Sequence, residues 1–107
     1  MTHFFRMDDV LRERADKGKL YLEFLRVRAM SAGVYVLPVG GADPQRPHRE
    51  DEMYYVVRGR ARMKVGAEDA EVSAGSLIFV EAEAEHRFHD VQEELEVLVF
   101  FAPAERE

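Results

Sequence analysis

The stretch "RPHREDEMYYVVRGRARM", Arg46 to Met63, decides the fold. Its centre, Met53-Tyr54-Tyr55-Val56-Val57, is aromatic and β-branched, which suits a half-buried pleated surface better than a helix. Immediately ahead stand His48 and Glu52, separated by Arg49-Glu50-Asp51. Ionisable groups normally stay on the solvated side of a strand, so an imidazole and a carboxylate leading into an apolar run need a reason. On one straight strand their Cα atoms would lie about 13 Å apart, near the limit for two side chains to share an ion. A reversal at Arg49–Asp51 would put His48 at the end of one strand and Glu52 at the start of the next, and the side chains would converge.

Outward from this stretch the apolar pattern keeps a period of two. Strands are expected at Leu20–Val27, Gly33–Val39, Glu52–Val57, Ala61–Val65, Glu71–Val72, Ser76–Val80, His86–Asp90 and Leu95–Phe101. Turn residues separate them at Gly40-Gly41, Asp43-Pro44, Arg58-Gly59, Gly66, Ala74-Gly75 and the acidic "QEE" of 92–94. Short strands at even spacing point to an all-β barrel or sandwich. The one helical segment precedes them, over Met7–Lys17. Met7, Val10, Leu11 and Ala15 fall at helical spacing, Asp8 and Asp9 suit a helix start, and Gly18 is placed as the stop. "MYYVV" and "LEVLVFF" are apolar on both faces, and a barrel interior covers only one. The other face requires a second sheet or a partner subunit, so a homodimer is expected.

The chain has 107 residues, enough for one domain with one core. A hydrophobic content of 47% with 10% aromatics argues for a folded globule. The net charge of −6 argues against nucleic acid or an anionic membrane as partner. There is no cysteine, hence no disulfide framework, thiolate metal site or cysteine nucleophile. No apolar run approaches the roughly 20 residues that span a bilayer, and "MTHFFRMDDV" lacks the apolar stretch of a secretory signal. The expectation is a soluble cytoplasmic protein.

Of the four histidines, His3 lies near the terminus, and His89 alternates to the face opposite His86. His48 and His86 remain. His86 opens a strand, "HRFHD", after the acidic "EAEAE" loop. Two imidazoles and one carboxylate, His48, His86 and Glu52, match the triad that holds divalent iron and also suits manganese, nickel or zinc. Tyr54 and Val56 share the face of Glu52 and should line the cavity, and Phe88 should be core.

These residues resemble a small single-domain cupin over roughly Gly33 to Phe101. The family's first motif reads G, five residues, H, one, H, three or four, E, six, G. Gly40, His48, Glu52 and Gly59 fall on it. The second reads G, five residues, P, one, G, two, H, three, N. Gly75 and His86 fall on it. The resemblance implies a cupin-type β-barrel or jelly roll with metal ligands His48, Glu52 and His86. It implies a small organic substrate and, when metal is bound, oxygenase or isomerase chemistry. Departures are specific: Arg46 stands on the first motif histidine, Glu81 and Glu83 on the proline and second glycine, and Asp90 on the asparagine. Arginine cannot ligate a cation; turned inward it would oppose an ion or pair with a bound carboxylate. Gln45 next to it offers a carbonyl oxygen as a further ligand, and Glu50 or Tyr54 a proton carrier. The alternative is a metal-free cupin that binds a small ligand, with Arg46 in the place of the missing histidine. No G-x-S-x-G elbow, phosphate loop or zinc-finger spacing offers other catalytic machinery.

Overall fold

The computed structural model describes residues 3–106. Helix α1 covers Met7–Asp16, and six strands follow: β1 (Tyr21–Val27), β2 (Met30–Leu37), β3 (Asp51–Val65), β4 (Glu68–Ser73), β5 (Leu77–Val80) and β6 (His86–Ala102). Every pairing is antiparallel. The order is β1-β2-β6-β3-β4, with β5 also paired to β3. The all-β expectation and the short leading helix both hold.

Where the sequence suggests eight strands there are six among the described residues, because β3 and β6 each absorb two expected ones. Arg58-Gly59 and the "QEE" segment are not turns. They are one bend in two paired strands, where the register slips between Val56 and Arg62 on β3. Gly59 sits in the bend at φ 98°, and a Cβ there would stand 2.1 Å from the Glu94 carbonyl oxygen. Only glycine supplies both that backbone angle and that approach, and such bulges bend a sheet without ending its pairing.

The sheet rolls so that its inner face closes on one core. Tyr35 and Leu37 of β2, Tyr54 and Val56 of β3, Val72 of β4, Val80 of β5, and Phe88, Leu95, Val97 and Val99 of β6 are all buried in one cluster. Each such side chain removed from water contributes roughly 1.5–3 kcal/mol, so this inner face dominates the stability. The outer face is covered unevenly. Val10 of α1 packs with Leu22 and Val34 over β1 and β2, while Met53, Tyr55, Leu77 and Phe79 on β3 and β5 stay exposed. Among the described residues no helix is long and apolar enough to cross a membrane.

Candidate metal centre

The connection between β2 and β3 builds the site. Asp43 fixes its path by accepting four hydrogen bonds: from the Tyr35 hydroxyl at 2.6 Å, the Phe88 amide at 2.8 Å, and the backbone and side-chain amides of Gln45 at 3.2 and 2.8 Å. Because Gln45 Nε2 is engaged by Asp43, Gln45 Oε1 must face the barrel interior. There it accepts from the Tyr54 hydroxyl at 2.7 Å. It also lies 3.4 Å from His48 Nε2 and 3.3 Å from His86 Nε2.

His48 lies on this connection rather than at a strand end, and the chain bends at Arg49-Glu50 before β3 begins. The loop between β5 and β6 docks on the same segment: Glu83 N donates to His48 O, and Ala82 N to Asp51 Oδ1. Glu83 and Asp90, on the motif positions of glycine and asparagine, keep positive φ values of 70° and 48°.

His86, the first residue of β6, places Nδ1 2.9 Å from Ala84 O. A carbonyl only accepts, so in the neutral ring Nδ1 carries the hydrogen and Nε2 is a bare lone pair. That lone pair faces Glu52 Oε1 at 3.2 Å, without the alignment of a hydrogen bond. Glu52 is 2% exposed, and neither of its carboxylate oxygens has a hydrogen-bond donor among the described residues. One ligand atom each from His48, Glu52 and His86 lie within 4.8 Å of one another. Acceptor atoms crowded in a buried place repel each other unless a proton or a cation stands between them. Without a cation, protons serve. His48 is pushed up, chiefly by the Glu105 carboxylate beside it, against its burial and with help from Glu52. Burial pulls His86 down, but Glu52 and the Ala84 carbonyl outweigh it and the net direction is upward. Two imidazole nitrogens, a carboxylate and an amide oxygen form a donor set that fits a divalent transition ion.

The remaining sequence candidates take other places. Tyr54 is fully buried, and burial, followed by Glu52, holds its phenol well above the ordinary range, so it remains a donor to Gln45. Glu50 is buried but turned to Arg106, whose Nε is 2.7 Å from Glu50 Oε2. Burial raises that carboxyl, yet the Arg106 bonds bring it below its usual value. Arg46 is exposed. His89 meets Asp69 at 3.0 Å on the outer surface. The tail "ERE", which reads as a solvated end, is docked through Glu105 and Arg106, while Glu107 lies outside the described residues. Beside His48 opens a pocket of about 330 Å³ walled by Tyr21, Tyr35, Val99 and Phe101, with Arg46 at its lining. Sequence reasoning missed Tyr21. A Cβ at Gly33 would stand 2.4 Å from its ring, so the glycine in β2 is what lets the phenol lie against the sheet.

The family profile described as "Cupin domain" matches residues 33–101. An uncharacterised protein of Streptomyces coelicolor is 48% identical over 101 residues, covering 94% of this chain and 96% of its own. A Bacillus halodurans crystal structure superposes with a TM-score of 0.81 at 16% identity, covering 99% of this chain and 85% of that one. The Cnp3 cupin domain of Schizosaccharomyces pombe gives 0.71 at 14% identity over 78% of this chain, which spans 59% of that one. Likeness at these identities speaks for the fold alone.

Proposed function

The chain belongs to the cupin family, and on that premise we propose that it holds a divalent transition metal through His48, Glu52 and His86 and acts on a small organic molecule. Gln45 Oε1 is the fourth protein ligand, in the role the missing motif histidine would have filled. The carrying observation is the Glu52 carboxylate: buried, without a donor on either oxygen, and faced by imidazole nitrogens. Iron, manganese, nickel or zinc suits this set.

Such an ion, when bound, supplies Lewis acidity and open positions for a substrate oxygen or dioxygen, which makes oxygenation or isomerisation the supported reaction classes. The protein's own contribution is orientation and dryness. Tyr54 holds the Gln45 carbonyl toward the ion, a part that suits its committed hydroxyl better than carrying a proton. Ala84 O keeps His86 Nε2 bare. The aromatic and aliphatic walls of the adjacent pocket exclude water and favour an apolar substrate body. We place the protein in the cytoplasm as a soluble homodimer, supported by its lack of cysteine and by its uncovered outer sheet face.

A metal-free ligand binder is the second reading, supported by the pocket with Arg46 at its lining, where a guest carboxylate would meet a cation. Elemental analysis of the purified protein separates the two. Near-stoichiometric transition metal, lost in His86→Ala, supports the metal centre. Wild-type protein that carries no metal and is not stabilised by any of the four ions overturns it.

A further inference from the structure

We propose that Glu105 is a positioning residue for His48, delivered to the metal centre by a C-terminal strap, Ala104–Arg106; this rests on the metal reading above. Glu105 Oε2 stands 3.3 Å from His48 Nδ1. A carboxylate only accepts, so in the neutral ring it favours hydrogen on Nδ1 and a bare Nε2, in competition with Gln45 Oε1, an uncharged acceptor 3.4 Å from Nε2. His86 receives the same treatment from a backbone carbonyl. The two candidate nitrogen ligands are thus oriented alike, one by the local chain and one by a residue near the far end of the sequence. A carboxylate partner also raises the basicity of a ligating imidazole.

The strap is held independently of that carboxylate. Glu105 N donates to Ser31 Oγ at 2.9 Å, and Arg26 Nη2 donates to Glu105 O at 2.6 Å. Arg106 Nε donates to Glu50 Oε2 at 2.7 Å and its Nη2 to Arg49 O at 3.0 Å. Ala104 is buried beside them. Replacing the Glu105 side chain therefore leaves the strap docked while removing the contact with His48 and the carboxylate's field on Tyr21.

The test uses the full-length protein and measures zinc and manganese affinity by competition with a chelator. Glu105→Ala should bind each ion about 10–100-fold more weakly. Glu105→Gln, whose amide oxygen still accepts from Nδ1, should recover most of the loss. Metal-free melting temperatures of both variants, taken at a pH high enough for His48 to be neutral, should stay near wild type. Equal metal affinity in Glu105→Ala and wild type overturns the proposal. Nitrogen-15 spectra of the imidazoles, recorded metal-free with His48 neutral, provide a readout that needs no ion. His48 should carry its hydrogen on Nδ1 in wild type and lose that preference in Glu105→Ala. If wild type takes no metal, the metal reading fails, and these spectra alone decide the positioning role: an unchanged ring form in Glu105→Ala overturns it, and a changed one supports it.

Discussion

Glu52 occupies a place that a carboxylate avoids unless something positive faces it. Its side chain is 1% exposed, and the nearest candidates for positive charge are two imidazoles. The sign of the pH dependence follows. Both rings titrate above the ordinary 6.5 in the metal-free fold. Their protonated forms therefore add stability that is fully present below 6.5 and disappears as pH rises through the raised values. Metal binding runs the other way, because the ion needs the same nitrogens bare. The melting temperature in chelator should fall as pH climbs above 6.5, while the increment from added zinc or manganese should grow; scanning fluorimetry across that range checks both slopes. Glu52→Gln makes a sharper test. With the imidazoles neutral and no metal, it removes a buried charge that lacks donors, and should stabilise the fold by about 1 kcal/mol. The same variant should lose metal binding, so wild type overtakes it once metal is added. Glu52 and His86 stand out in the sequence because ionisable groups opening apolar strands are rare enough to notice, and His48 stands out by its spacing ahead of Glu52. Asp43, Tyr21 and Glu105 do not. Asp43 reaches 45 positions along the chain to Phe88, and Glu105 reaches 74 back to Ser31. No local pattern encodes such partners.

The same division holds for secondary structure. Runs rich in β-branched and aromatic residues located every strand; most show one face in the core, while β2 is buried along both faces. Where strands end was less legible. A glycine at φ 98° is required equally by a tight turn and by a bulge, so "RG" at 58–59 reads as either. The "QEE" of 92–94 is what a loop looks like, but also what the outward side of a bent strand looks like. Only the register between β3 and β6, which runs from Asp51–Ala102 to Val65–His86, shows that both segments stay paired. The bend also positions the site, since it separates the half of β6 that carries Leu95–Phe101 from the half that begins at His86. Gly59→Ala should therefore be costly twice, through the backbone angle and through the collision with Glu94. We expect a loss of about 2–4 kcal/mol, read as a lower denaturation midpoint with an unchanged slope. A Gly59→Ala protein as stable as wild type would mean that β3 and β6 do not bend at this glycine.

At the scale of the whole molecule the uneven outer face is the unfinished feature. α1 seals the part over β1 and β2. Over β3, β5 and β6 two rows remain, Leu77-Tyr55-Leu98 and Phe79-Met53-Phe100, brought side by side by the strand register. Leu77 is 68% exposed, Phe79 58%, and Met53 and Tyr55 39% each. At about 200 Å² per large side chain these four alone leave roughly 400 Å² of apolar surface, as much as the largest patch of an ordinary monomer. Two copies packed through this face would remove about 800 Å² of it, a gross gain near 20 kcal/mol against an association cost of roughly 4–15 kcal/mol. A second copy fits better than an unrelated partner because rows of the same side chains can be self-complementary under a two-fold axis. Light scattering on the purified protein should give a dimer mass at micromolar concentration. The double variant Leu77→Glu, Phe79→Lys should give a monomer that still takes up metal, because both side chains point away from His48, Glu52 and His86. A wild-type monomer, or a variant that stays dimeric, would rule this face out as the interface. A variant that becomes monomeric and also loses metal would mean that the dimer contact supports the site, which the outward direction of these strands argues against.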